Sequence, residues 1–255
     1  MNAEQIAARI KSREKLDIVW FALICIADLV LHMVFDIHIL IILLSNIPPI
    51  IIFGIFDLNT VLIKQDIIYK YGDPVLYKRV HDLTKKTEPF NDEANTIAEI
   101  TAYYYLGDYE RVIYIMENDS KLLRPQQHLL MSYYIQSQFF KGDLNGIIKG
   151  REVLEKYKNK RFTQSAKIIM THTYLISDFT YYYLIKDFEN AYKACKKFTN
   201  PPKNMPVYKI YTDFYTALCE KAIGNLHLAQ ELFIQVANQN NSLAIVEEAK
   251  KNLMN

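Results

Sequence analysis

The sequence predicts an all-α fold: an N-terminal two-helix transmembrane hairpin followed by an α-solenoid of helix pairs. Three observations carry that prediction. Leu16 to Ile63 is an almost unbroken apolar run. Across 255 residues there are only 7 glycines and 8 prolines, too little punctuation for many short strands. From Asn91 onward one pattern recurs: a helix, a Gly/Lys–Asp/Asn turn, an apolar residue and a second helix, with the turns at Gly107, Gly142, Lys186 and Gly224.

The apolar run comes first. A hydrocarbon core about 30 Å thick takes roughly 20 residues of helix. The run is about twice that length, so it predicts two spans, Leu16–Phe35 and Ile37–Phe56, with a turn at Phe35–His38. Asp28 and His32 lie four apart inside the first span and share a helix face, which suits a role in membrane assembly better than an ion path. Arg9, Lys11, Arg13 and Lys15 precede the first span, and Lys64, Lys70, Lys78 and Arg79 follow the second. Basic flanks stay on the cytoplasmic side. The expectation is a multi-pass protein of the cell membrane, with both termini and the C-terminal domain cytoplasmic.

The domain plan follows: residues 1–15 a cytoplasmic lead-in, with Ala3, Ile6, Ala7 and Ile10 at helical spacing; 16–63 the hairpin; 64–90 linker helices, broken at Gly72-Asp73-Pro74; and 91–255 the repeat domain. Ser242–Leu253, with Leu243, Val246, Ala249 and Leu253 apolar, reads as a solvating capping helix.

Composition narrows the function. A net charge of +2 provides no concentrated basic face and argues against nucleic acid. Three cysteines, an odd number without a CxxC pair, disfavour disulfides. The six histidines stand apart from one another and from cysteine, without metal-ligand spacing. The chain carries no GxSxG, P-loop, HExxH or Gly-rich dinucleotide fingerprint. The reading is therefore non-enzymatic, with no cofactor and no metal.

The repeat has a physical logic. Glycine at the turn adopts a left-handed conformation without a Cβ penalty. Asp108, Asp143, Asp187 and Asn225 are positioned to cap the next helix. Tyr109, Leu144, Phe188 and Leu226 would pack back between the two helices, and Val112, Ile147, Ala191 and Ala229 allow close approach. A single pair cannot bury its apolar face alone, and stacking solves that.

In these motifs, above all Tyr105-Leu106-Gly107-Asp108-Tyr109-Glu110 and Gly224-Asn225-Leu226-His227-Leu228-Ala229, the chain resembles the tetratricopeptide repeat (TPR) family over roughly Asn91–Asn255. It departs from that pattern at Lys186, in the uneven turn spacing, and in lacking the family's early tryptophan, since the one Trp is Trp20. The resemblance implies a concave surface lined by first helices. Aligned on the turns, the partner-facing set comprises Thr101, Tyr104, Tyr105, Gln136, Phe139, Thr180, Tyr183 and Phe214. Aromatic grooves suit peptides and helices. The expected function is a membrane-anchored adaptor that binds a protein or peptide. The alternative is a small integral-membrane subunit of a transport, export or immunity system acting through the hairpin. The partners expected are a protein or peptide and the lipid bilayer, with self-association open through a free solenoid edge and Asp28.

Overall fold

The computed structural model of the chain describes residues 2–35, 63–85, 92–119, 128–156, 164–198, 206–239 and 241–254. Among them the secondary structure is helical throughout. The helices are α1 (Ala3–Phe35), α2 (Pro74–Thr84), α3 (Asp92–Leu106), α4 (Tyr109–Asn118), α5 (His128–Lys141), α6 (Leu144–Glu155), α7 (Gln164–Leu184), α8 (Phe188–Cys195), α9 (Pro206–Ala222), α10 (Leu226–Ala237) and α11 (Ala244–Met254). A helical segment at 63–69 precedes α2.

The four recurring turns share one backbone solution. Gly107, Gly142 and Gly224 have φ of 81°, 71° and 87°, and Lys186 has 63°. In each, the left-handed residue donates its N–H three residues back and the next residue donates five back. Asp108 N–H bonds Tyr103 O at 3.0 Å, Asp143 N–H bonds Gln138 O at 2.9 Å, Asp187 N–H bonds Tyr182 O at 2.9 Å and Asn225 N–H bonds Glu220 O at 2.8 Å. This is the Schellman closure, which satisfies carbonyls left over at the end of the first helix. The aspartates then start the second helix. Asp108 accepts from Arg111 N, Asp143 from Gly146 N and Asp187 from Asn190 N, at 3.1, 3.1 and 3.2 Å. Asn225 does not cap: its amide turns back to donate to Glu220 Oε2 at 3.0 Å.

Val112, Ile147, Ala191 and Ala229 are buried at the contacts between paired helices. Within the second pair α6 carries Gly146 and Gly150 against α5. A Cβ at Gly150 would lie 2.7 Å from Ile135 Cγ1. Leu226 departs from the pattern: it is 64% exposed instead of packing inward.

The fourth pair does more than extend the row. Helix α9 packs on α8 and α10, and its Tyr208, Tyr211 and Tyr215 also reach Tyr69, Tyr104 and Gln136 of the earlier elements. Helix α11 returns to the first pair and contacts α3. Ala244 Cβ lies 2.7 Å from where a Cβ on Gly107 would be, and Ser242 Oγ lies 3.2 Å from Asp73 Oδ1. So α11 is more than a cap. Its Ile245, Val246 and Ala249 join the same core as Val80, Ile100 and Tyr104.

The N-terminal elements also belong to that core. Ala3, Ile6 and Ile10 on α1 cluster with Ile67, Ile68, Tyr77 and Val80, and Glu4 pairs with Arg79. The first turns of α1 are a packing face. Beyond them α1 exposes Leu16, Ile18, Val19, Trp20, Phe21, Leu23, Ile26, Leu29 and Val30.

The membrane placement expected from sequence is contradicted. No helix among the described residues is long and apolar enough to cross a membrane. Lys11, Arg13, Glu14, Lys15 and Asp17 occupy the middle of α1, and Asp28 interrupts the apolar stretch beyond them. The expected second span, Ile37–Phe56, lies outside the described residues, as does the side chain of His32. Asp28 sits half-buried on α1. The multi-pass localisation is not retained.

Candidate functional site

Where α3, α5 and α9 meet, tyrosines form a continuous layer. The Tyr104 ring stacks on Tyr133, with centroids 4.4 Å apart and planes at 20°, and on Tyr211 at 5.8 Å. Tyr105 meets Tyr69, Tyr133 and Tyr211 edge-on. Offset and edge arrangements bring positive ring edges to negative faces.

Gln136 organises the hydroxyls. Its Oε1 accepts from Tyr104 OH at 2.6 Å and also from Tyr215 OH. Its Nε2 donates to Ser132 O and Ser132 Oγ at 3.1 and 2.9 Å, which fixes the amide's orientation. Tyr69 and Tyr133 share a hydrogen bond of 3.1 Å. Tyr211 OH is buried and makes no hydrogen bond of normal geometry, although the Tyr104 hydroxyl is near enough to act on it. Most buried polar groups are paired, so an orphan hydroxyl requires an explanation.

Tyr211 lines a cavity of about 30 Å³. Tyr104, Tyr133, Gln136, Tyr211 and Tyr215 form its floor, and His172, Phe198, Tyr208 and Thr212, all half-buried, stand at its mouth. Burial pushes the Tyr104, Tyr105, Tyr133, Tyr211 and Tyr215 phenols well above their ordinary range. The same cause lowers His172 to about 4. At neutral pH the cleft therefore holds neutral donors and rings, with no carboxylate, lysine or arginine among the described residues that line it.

The structure places the expected partner-facing set in the interior. Thr101, Tyr104, Tyr105, Gln136, Phe139, Thr180 and Phe214 are buried, and Tyr183 is half-buried against Phe139, Phe179 and Phe188. For Tyr104, Tyr105, Gln136 and Phe139 the reason is α9: where the resemblance implied an open concave face, its Tyr211 and Tyr215 lie against them. Three of the eight, Tyr104, Tyr105 and Gln136, line the cleft, and the other five do not.

Sequence reasoning missed Tyr208, Tyr211, Tyr215, His172 and Ser132. A signal for the first three was present. Tyr208, Tyr211 and Tyr215 fall at i, i+3 and i+7, one face of a helix. What it could not reveal was the partner surface, because Tyr215 and Gln136 are 79 residues apart in the chain.

Comparison with family models, curated proteins and solved structures returns no match to this chain.

Proposed function

We propose that this chain is a non-enzymatic adaptor, built from TPR-like helix pairs, that binds a protein or peptide at the mouth of the tyrosine cleft. The observation that carries the reading is Tyr211, which lines the cavity and whose buried hydroxyl makes no hydrogen bond of normal geometry. At about 30 Å³ the space takes one or two water-sized groups, too little for a cofactor. It suits the tip of one side chain, or a carbonyl, presented by a larger partner seated on the rim. Tyr211 would donate to that group. His172, Phe198 and Tyr208 would form an aromatic collar around it, the kind of surface that dominates binding hot spots.

The lining also argues for recognition over catalysis. Its phenols are held neutral by burial, so none is poised as a base near neutral pH. An ionised partner group would find no opposite charge inside, so the inserted tip is uncharged.

Site-specific photocrosslinking tests this. A photoreactive residue at Thr212, on the rim, should yield a discrete protein adduct in cells that make this chain. The same probe at Tyr114, exposed on α4, should not. Equal adducts from both positions, or none at Thr212, would remove the cleft from the account.

A further inference from the structure

Cys195 ends α8, and Cys219 lies in the last turns of α9. Both are buried, at 4% and 1% exposure, on helices that pack directly against each other. Cys195 Sγ lies 3.5 Å from Thr216 Oγ1. Thr216 and Cys219 are three residues apart and so share a face of α9. That places Cys219 on the face of α9 that meets Cys195, and the interaction between the two lowers the Cys195 thiol and raises that of Cys219. Neither sulfur lines the cleft. This is a pair of buried free thiols at the contact of two packed helices, an arrangement that the odd cysteine count and the absence of a CxxC pair do not reveal.

We propose that Cys195 and Cys219 form a modification site, a dithiol that a peroxide oxidises to an intrachain disulfide joining α8 to α9. Cys195 sulfur, as thiolate, attacks one peroxide oxygen. The O–O bond breaks, water leaves, and Cys195 becomes a sulfenic acid. Cys219 sulfur then attacks Cys195 sulfur, the S–O bond breaks, and the second water carries away the hydroxyl. In total one S–S bond forms, two thiols lose two electrons and two protons, and hydrogen peroxide is reduced to two waters. Both sulfurs are covered, so oxidant reaches them through local opening of α8, a helix of 8 residues. Reaction is therefore slower than at Cys25, which is exposed.

The bond would act on the cleft. Phe198 lies three residues past Cys195, and Thr212 and Tyr215 lie on α9 with Cys219, so oxidation pins two cleft walls at one spacing.

The test uses the full chain carrying Cys25→Ser, which removes the exposed thiol. After hydrogen peroxide treatment, remaining thiols are blocked with N-ethylmaleimide in denaturant and the digest is mapped without reduction. The expected result is a linked pair of peptides containing Cys195 and Cys219, loss of both free thiols, a higher melting temperature, and reversal of all three by dithiothreitol. Full maleimide labelling of both cysteines, at a peroxide dose that oxidises Cys25 in the unsubstituted chain, would overturn the proposal. So would sulfinic acid on either cysteine without a linked peptide.

Discussion

Tyr215 donates to the Oε1 atom of Gln136 across 79 residues of chain, and Tyr104 donates to the same atom from a third helix. One side-chain oxygen thus ties α3, α5 and α9 together in a buried layer. An unmade buried hydrogen bond costs about 1–3 kcal/mol, and Gln136→Leu strands two phenols at once. The variant should lose about 3 kcal/mol in urea unfolding. Adding Tyr104→Phe and Tyr215→Phe to it should recover part of that loss, because the stranded hydroxyls are then gone. A triple variant less stable than Gln136→Leu alone would contradict the role given to these bonds.

Glycines at two turns separate backbone strain from crowding. Gly142 and Gly107 both have positive φ, but a Cβ at Gly142 meets nothing within 4 Å, whereas one at Gly107 meets Ala244 Cβ at 2.7 Å. Gly142→Ala should cost about 1 kcal/mol from the left-handed conformation alone. Gly107→Ala should cost clearly more, and Gly107→Ala with Ala244→Gly should return close to the Gly142→Ala value. Chemical denaturation of the three variants checks the contact between α11 and the first helix pair.

Lys186 is the complementary case, a β-carbon where three sister turns use glycine. Lys186→Gly relieves the left-handed strain and should stabilise the chain by about 1 kcal/mol. A loss of stability would mean that the lysine side chain makes a compensating contact.

Stability should fall in mild acid. His172 is lowered from 6.5 to about 4 by burial, and His81, also buried, is lowered with desolvation as the main cause. Between those values the unfolded chain binds a proton that the folded chain refuses. The stabilisation is therefore complete above pH about 6.5 and is lost as pH falls towards about 4. Urea midpoints measured from pH 7 to pH 4.5 should decline, and His172→Phe should flatten the decline, leaving the part due to His81. An unchanged slope would show that His172 titrates normally.

The legible parts of this fold were local. Gly107, Gly142, Lys186 and Gly224 each announced a turn because the left-handed residue and the cap that follows it sit next to each other in sequence. Asp108, Asp143 and Asp187 cap as expected. Asn225 does not: its Nδ2 donates back to Glu220 Oε2 and its side chain makes no cap bond. The illegible parts were long-range. Nothing near Tyr104 or Phe139 indicates that α9 covers them. Nothing near Ile6 or Ile10 says that they pack in one core with Ile67 and Ile68. Apolar periodicity marks which face of a helix is buried, not what buries it. That ambiguity turned a tyrosine core into an expected groove, and it turned α1 into an expected membrane span.

The most direct test of the partner-binding account is Tyr211→Phe, measured for stability and for photocrosslinking from Thr212 in the same preparation. Removing a buried, unpaired hydroxyl should leave stability unchanged or raise it by about 1 kcal/mol. The Thr212 adduct should be lost with it, because the group that receives the partner is gone. A Tyr211→Phe chain that is equally stable and still forms the full Thr212 adduct would contradict the account, making Tyr211 a core residue and the cleft a packing fault.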